Sequence, residues 1–250
     1  MFRLLSKMYM KKASGAAFTF ILFVALSSVL VQFVSPYADD LRGAVHLESG
    51  GQHPSLKHWF GTDAAGRDLF TLTIYAGLSS LKVAIAVVLL SVFIGVPIGM
   101  FSGSSSKNTD EVLMRIVDGF LAFPPLMLPL IITSVLGPSL NNVIIGISMS
   151  WFPWYVRIAR SQAMIILSSG YVSVSKSMGA GKLHIIKNHI FPNSIGPFLV
   201  QGTIDAGYAI LTAAGLSFIG LGARHPEVEW GLLLTLSLIH ISEPTRLAII

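Results

Sequence analysis

The sequence contains no cysteine, and charged residues make up only 12% of its 250 residues. The lack of cysteine excludes disulfides, thiolate metal sites and cysteine nucleophiles. Soluble domains carry about 25% charged residues, so the shortage of charge indicates a membrane protein. Hydrophobic residues make up 53% of the chain and the mean hydropathy is +0.71, which supports the same interpretation.

The sequence also lacks the motifs of several catalytic sites. No Gly-x-x-x-x-Gly-Lys-Ser/Thr segment is present, so the chain is not expected to hydrolyse ATP. No His-Glu-x-x-His segment is present, and neither His53 with His58 nor His184 with His189 has a spacing that suits zinc. We therefore expect no catalytic residue, no metal site and no cofactor in this chain.

Long intervals without charge predict membrane-spanning helices, because a charge at the bilayer centre is costly. Three intervals have this property, namely those from Lys12 to Asp39, from Lys82 to Lys107 and from Asp118 to Arg157. A helix needs about 20 apolar residues to cross the bilayer. The first two intervals predict one span each, and the third predicts two short spans joined by a turn at 137–139. A fifth span is predicted over 195–216, with Asp205 inside it.

The spans divide the chain into segments with predicted sides. The segment 13–34 is longer than the ~7–15-residue apolar core of a signal peptide, so it is predicted to be a retained anchor. Lysine and arginine concentrate in the N-terminus and in the loops after spans two and four, which predicts a cytoplasmic N-terminus. The net charge of +5 then reflects orientation rather than nucleic-acid binding. The predicted segments are a cytoplasmic N-terminus (1–12), the first span (13–34), an external loop (35–80) and a core (81–235) that contains a cytoplasmic loop (158–194).

The cytoplasmic loop predicts two short helices with a sharp turn between them. The first is expected to end near Met178, since Gly179 and Gly181 permit the left-handed backbone of a helix C-cap. The second is expected over 182–190, ended by Pro192. Its predicted apolar face consists of Leu183, Ile186 and Ile190. A rigid helix–turn–helix of this kind can transmit the movement of a soluble partner to membrane helices.

This loop resembles the cytoplasmic motif in the inner-membrane components of binding-protein-dependent ABC importers. The family motif begins Glu-Ala-Ala, continues to a glycine and ends near Leu-Pro. Gly179 and Pro192 match it, whereas the segment 173–175 departs from Glu-Ala-Ala. The resemblance implies that the loop docks on an ATPase subunit. The residues it assigns to ATPase coupling are Ser173, Ser175, Gly179, Ala180, Gly181, Lys182, Leu183 and Pro192.

Further motifs resemble the dipeptide, oligopeptide and nickel branch of that family. The external loop carries a Gly-Thr-Asp-x-x-Gly-Arg-Asp motif, formed by Gly61, Thr62, Asp63, Gly66, Arg67 and Asp68. The segment 216–222 with Trp230, and Arg115 with Asp118 and the following Pro124, are also similar to the branch. Leu72 and Leu78 depart from it, because arginine is common at those positions.

The resemblance implies an all-α, polytopic membrane helix bundle, the transmembrane domain of a type I ABC importer. Five spans are visible and a sixth is expected but missing. The implied function is a permease subunit in the bacterial inner membrane that translocates peptides or a similar small solute, such as a nickel chelate. The implied partners are a second homologous permease, two ATPase subunits that hold ATP and Mg²⁺, a periplasmic or lipid-anchored solute-binding protein, and membrane lipids. The alternatives are an intramembrane enzyme and a permease-like subunit of a non-import complex.

Several charged and kinking residues allow two interpretations. Asp205 either lines the translocation path or lies hydrated near the cytoplasmic end of its span. The loop residues 63–68 either contact the binding protein or form a turn held by local ion pairs. Arg115 and Asp118 are expected to form an interfacial ion pair. The prolines at 124, 125 and 129 either shape a gate on the path or serve packing alone.

The end of the sequence is expected to be foreign. From Leu236 onward it is similar to the translation of a transposon-based sequencing adapter. We therefore predict that native sequence stops near Thr235 and that 236–250 is a non-native tail.

Overall fold

The computed structural model describes residues 12–224 and 226–235, and this part of the chain is helical. Its strand-like pairing is limited to a single bridge between Thr62 and Asp68. The predicted all-α fold is therefore confirmed for the described residues. The helices are α1 (Lys12–Val34), α2 (Leu69–Gly103), α3 (Lys107–Leu121), α4 (Met127–Leu136), α5 (Leu140–Leu167), α6 (Gly170–Ser177), α7 (Lys182–Ile185) and α8 (Phe191–Phe218).

The chain divides into two compact units. Residues up to Lys82, together with those from Ala223 onward, form the first unit, and Val83–Gly222 forms the second. In the first unit, α1 agrees with the predicted first span. Its segment Ala13–Val34 has a mean hydropathy of 2.3, and very little of it is buried, as expected for a helix surrounded by lipid.

A small core holds the first unit together. Leu41, Leu72, Ala76 and Val228 are buried against one another. Leu72, which departs from the family pattern, is fully buried here. Trp230 donates a hydrogen bond to the Thr73 carbonyl at 3.0 Å.

Helix α2 is longer than the sequence predicts. It begins at Leu69 and runs for 35 residues, so the predicted end of the external loop at residue 80 is wrong. Lys82 was taken as a boundary, but it is an exposed residue within the helix. A long lysine side chain can reach the polar interface from such a position, and a single lysine therefore does not end the helix.

Closely spaced helices form the second unit. Gly95, Gly99 and Gly103 of α2 lie against the backbone of α5, and a Cβ on Gly99 would lie 2.2 Å from the Val156 carbonyl oxygen. Small residues four apart allow two helix backbones to approach in this way. The α2–α5 contact therefore depends on these glycines.

The predicted third span is not one helix. Helix α3 ends at Leu121 and α4 begins at Met127, with Pro124 and Pro125 between them. Proline removes a backbone donor and disfavours helix in the residue before it, so the two prolines break the helix rather than bend it. Pro129 instead lies inside α4.

The predicted turn between spans three and four is present. Gly137 has φ +88°, and the Ser139 hydroxyl caps α5 by accepting from Asn142 N at 3.1 Å. However, α4 has only 10 residues, about 15 Å of helix, which is too short to cross a bilayer alone. Among the described helices, α1 and α2 are long and apolar enough to cross, and the count of five spans stays a prediction.

Candidate functional site

Residues 168–190, between α5 and α8, form what we call the coupling segment. The helix α5 continues to Leu167, so the predicted start of this loop at residue 158 is wrong. The first short helix ends at Ser177 with Met178 as its C-cap, as predicted. Gly179 has φ +87°, in the left-handed region that favours glycine. The prediction for Gly181 is wrong, because its φ is −71°.

A buried apolar face anchors the coupling segment. Val172, Ile185 and Ile190 are fully or almost fully buried and pack with Ala159 of α5 and Phe198 of α8. A π turn over Ile186–Ile190 follows α7. Its i to i+5 repeat places Ile185 and Ile190 on the same side. The sequence analysis assumed α-helical periodicity and therefore assigned Leu183 to this face wrongly.

The opposite surface of the segment is apolar and exposed. We call Tyr171, Val174, Met178 and Leu183 the outer patch. The side chains of Met178 and Leu183 are 83% and 77% exposed. Apolar side chains grouped in this way on a polar loop mark an interaction surface. The coupling segment thus has one face packed on the helix bundle and one set of exposed apolar side chains.

Lys182 links the segment to the end of α2. Its Nζ donates a hydrogen bond to Ser105 Oγ at 2.6 Å and lies 3.8 Å from the centre of the Phe101 ring. Such a cation–π contact contributes about 0.5–1 kcal/mol at an exposed site. Sequence reasoning assigned Lys182 to coupling but missed both contacts, since Phe101 and Ser105 are distant in sequence.

The remaining residues predicted for ATPase coupling mostly contact other residues of the same segment. Ser175 Oγ lies 3.2 Å from His189 Nε2, and Ser173 Oγ is 3.5 Å from the Ser169 carbonyl oxygen. Ala180 packs against the buried face. Pro192 does not stop the helix as predicted, because it stands in the first turn of α8, where proline is tolerated.

An ion-pair cluster ties three helices together beside the segment. Arg160 of α5 donates two hydrogen bonds to Asp110 of α3, at 2.6 and 2.5 Å, and Ser102 of α2 donates a third. The Arg160 guanidinium holds the pKa of the Asp110 carboxyl below its usual value. The group lies outside the candidate spans, and bidentate pairing of this kind fixes geometry as well as charge.

The predicted ion pair between Arg115 and Asp118 is wrong. Arg115 instead pairs with Glu111, four residues earlier on the same helix. Asp118 pairs with Arg157 of α5 at 2.6 Å. Spacing along the chain favoured a local pair, but the packing of α3 against α5 supplied a nearer guanidinium.

Asp205 lies near the middle of α8, a helix of 28 residues. Tyr155 donates a hydrogen bond to one carboxylate oxygen at 2.6 Å, and Gln201 donates to the other at 2.9 Å. Within the described ranges, no basic side chain pairs with it. The residue is partly exposed, and a carboxylate that faces acyl chains is costly.

Pro124, the other residue predicted for the path, is exposed in the break between α3 and α4. Pro124 and Asp205 lie on different parts of the chain, one in this break and the other within α8. Both assignments to a translocation path stay predictions.

The external motif forms a buried network within the first unit. Asp63 accepts hydrogen bonds from Ala65 N and Arg67 N, both at 2.9 Å, and its second oxygen pairs with the Arg67 side chain. Asp68 accepts from Thr71 and contacts His58 Nδ1 at 3.0 Å. These ion pairs are buried rather than exposed, which favours the structural interpretation of the motif.

The other three motif residues shape the backbone of the loop. Gly61 and Gly66 have φ of +77° and +79°, and a Cβ on Gly66 would lie 1.9 Å from the His46 carbonyl oxygen. Thr62 Oγ1 donates to the Ser49 carbonyl and accepts from Gln52 N. A role in binding a partner protein stays a prediction.

Comparison with known proteins places these features in one family. The sequence profile of the family described as "Binding-protein-dependent transport system inner membrane component" matches residues 95–250. The match includes 236–250, the predicted foreign tail, which lies outside the described residues; its origin stays a prediction.

Two relatives and one solved structure illustrate the similarity. The probable D,D-dipeptide transport system permease protein of Escherichia coli K12 is 39% identical over 223 residues, covering 89% of this chain and 75% of the relative. The nickel transport system permease protein of the same strain is 35% identical over 218 residues, covering 87% and 78%. A chain of an inward-facing methionine ABC transporter superposes with a TM-score of 0.53 at 16% identity, over 72% of this chain and 95% of that chain.

The structural match supports the fold, and the family profile and the sequence identities establish the relationship. The chain therefore belongs to the binding-protein-dependent inner-membrane components, the permease subunits of ABC importers, in their dipeptide, oligopeptide and nickel branch.

Proposed function

We propose that this chain forms half of a translocation path for a small peptide or a similar small solute, such as a nickel chelate, across the bacterial inner membrane. A second homologous permease supplies the other half. Two ATPase subunits hold ATP and Mg²⁺ and dock on the coupling segment, and a solute-binding protein delivers the solute from the periplasm. The N-terminus lies in the cytoplasm, and this chain itself binds no cofactor.

The outer patch is the observation that carries this proposal. Its apolar side chains are exposed although the opposite face of the same short helices is buried in the bundle. A partner that binds the outer patch moves α5 and α8 with it, because the buried face connects both helices. Movement of packed elements as rigid bodies is how such a contact reaches the membrane helices.

Asp205 supports the existence of a polar surface inside the bundle. The carboxylate is held by two neutral donors, so its negative charge is not cancelled within the described residues. A charge of this kind suits a path for solutes that carry an ammonium group or a metal cation. The two relatives are named as transporters of a D,D-dipeptide and of nickel, which agrees with that chemistry.

The test replaces Gly179, where a side chain is strained, and compares it with Gly119 in α3, outside the coupling segment. The φ of Gly179 is +87°, so Gly179→Val costs about 1–3 kcal/mol of local strain and distorts the turn. An added Cβ at Gly119 meets open space, so Gly119→Val is the control. In proteoliposomes with all partner subunits, we expect Gly179→Val to hydrolyse ATP without solute uptake, whereas Gly119→Val retains both. Normal uptake by Gly179→Val contradicts the proposed docking role.

A further inference from the structure

An apolar cavity of about 680 Å³ lies in the first unit, at the C-terminal end of α1. The end of α1, the start of α2 and the external loop form its walls. Its principal apolar lining residues are Leu30, Val34, Leu56, Trp59, Phe70 and Ile74. The volume falls in the range of ligand-binding pockets, roughly 300–1,000 Å³.

The rim of the cavity is unusually exposed for an apolar surface. Leu56 is 99% exposed, Val34 76% and Trp59 63%. Grouped apolar side chains in water are costly and mark a contact surface. Here the group continues the apolar surface of α1, which is itself exposed along its length. Because the chain is a membrane subunit, we expect lipid to cover the exposed face of α1, and this face continues into the cavity.

A cation lies beside this apolar surface. Lys57 lines the cavity, and among the described residues no carboxylate lies within ion-pair distance of it. Asp68 also lines the cavity, but its side chain is 3% exposed and engaged by His58. Tyr37 donates a hydrogen bond to the Lys57 carbonyl at 2.9 Å and so fixes the backbone at this position.

We propose that the cavity binds a phospholipid from the leaflet at the C-terminal end of α1. An acyl chain occupies the apolar cavity, and the headgroup phosphate pairs with the Lys57 ammonium. Trp59 and Tyr37 lie at the boundary, where aromatic rings are enriched in membrane proteins. Lysine attracts anionic headgroups near a membrane surface by about 1 kcal/mol. The lipid would fix α1 to the external loop.

Photocrosslinking from Leu56 tests the proposal directly, with Leu47 as a matched control. Leu47 is a leucine of the same loop, 79% exposed, but it lines a different, more polar cavity. A benzophenone amino acid is placed at either position of the complete transporter in vesicles of equal phosphatidylethanolamine and phosphatidylglycerol. Mass spectrometry of the irradiated peptides is expected to show a phospholipid adduct at position 56 and not at 47. A protein adduct at position 56, or equal lipid yields at both positions, overturns the proposal.

The headgroup contact is tested with Lys57→Gln and Lys57→Arg. Lys57→Gln is expected to lower the phospholipid yield at position 56 at least about threefold, and Lys57→Arg to preserve it. Unchanged yield in Lys57→Gln overturns the phosphate contact.

Trp59 gives a second measurement on the otherwise unaltered chain. The fluorescence difference between wild type and Trp59→Phe isolates this tryptophan. Phospholipids brominated on the acyl chain are expected to quench that difference signal. Absence of quenching excludes an acyl chain in the cavity, whatever the behaviour of the Leu56 variant.

Discussion

At the scale of single residues, Asp205 is an acidic residue near the middle of α8. Its carboxylate accepts hydrogen bonds from Tyr155 and Gln201, and both donors are neutral. Within the described residues, no cation pairs with this carboxylate. Asp205 is therefore an acidic residue held only by neutral donors, on a helix face where an acyl chain would be a costly neighbour.

Asp205→Asn is predicted to lower uptake of a solute that carries an ammonium group by about tenfold or more, equivalent to about 1.4 kcal/mol. The charge is lost while the size of the side chain is kept. Initial uptake rates in proteoliposomes measure the effect. Thr203→Ala on the same helix is the control, because Thr203 bonds only to the Leu199 carbonyl. Equal rates for Asp205→Asn and wild type contradict a place on the path.

The Asp110–Arg160 pair gives a prediction about pH. The pKa of Asp110 is lowered in the folded chain, first by the hydrogen bond from Arg160. The stabilisation is therefore fully present above the pKa of an unfolded aspartate, about 3.9, and is lost as pH falls through the folded-state pKa. Asp110→Asn is expected to destabilise the detergent-solubilised chain by about 1–3 kcal/mol at pH 7 and progressively less below pH ~4.

Glu111→Gln is the control for that measurement. Glu111 pairs with Arg115, but both side chains are more than half exposed, and exposed pairs contribute about 0–1 kcal/mol. Thermal unfolding at several pH values compares the two variants. A destabilisation by Asp110→Asn that persists unchanged below pH 3 contradicts the electrostatic account.

At the scale of elements, the contact between α2 and α5 depends on glycine. A methyl group on Gly99 would lie 2.2 Å from the Val156 carbonyl oxygen and 2.7 Å from Ala159 Cβ. Neither neighbour is the end of a flexible side chain, so the helices must separate to admit it. Gly95 and Gly103 make the same approach one turn away on either side.

Gly99→Ala is predicted to destabilise the helix bundle by about 1–3 kcal/mol, because overpacking forces the backbone to shift. Gly207→Ala in α8 is the control, since nothing lies within 4 Å of its added Cβ. There alanine is expected to be neutral or stabilising by up to about 1 kcal/mol. Thermal denaturation of the solubilised chain distinguishes the two, and equal stability of both variants contradicts the close contact.

Sequence patterns predicted the positions of some helices but not all of their ends. A charge-free interval located α1 well, and the apolar run on both sides of Asp205 located the body of α8, because apolar length dominates in a membrane. They misplaced the start of α2, since Lys82 was treated as a boundary although its side chain is exposed on a continuing helix. Pro192 was expected to end a helix, but it lies in the first turn of α8. The backbone N–H that proline lacks has no hydrogen-bond partner within the helix at that position, so proline is tolerated there.

The coupling segment shows why its surfaces were harder to predict. Gly179 was correctly assigned to a left-handed turn, because glycine is the residue that adopts this backbone at no steric cost. The π turn after Ile185 altered the periodicity, so Ile185 is buried and Leu183 is exposed. Contacts such as that of Lys182 with Phe101 depend on how the helices pack, which a single sequence does not specify.

At the scale of the whole molecule, the chain is a membrane subunit for which we propose partners on both sides of the membrane. Family membership establishes a permease of the ABC importers. Our proposal adds that the outer patch receives the ATPase, that Asp205 lines the path and that a phospholipid fills the cavity at the end of α1. The outer patch is apolar, the surface at Asp205 is acidic, and the cavity is apolar with a lysine beside it. Each surface can therefore be tested by substitutions that leave the other two unaltered.

Crosslinking from the outer patch tests whether an ATPase subunit docks on the coupling segment. The chain has no cysteine, so Met178→Cys and Leu183→Cys each introduce a single thiol, which is labelled with benzophenone maleimide in membranes that contain all the subunits. We predict a covalent product with an ATPase subunit from both positions and none from Phe33→Cys, an equally exposed site on α1 (78%). If Met178→Cys and Leu183→Cys support uptake yet form no product with an ATPase subunit, the coupling segment is not the docking site and the account is wrong.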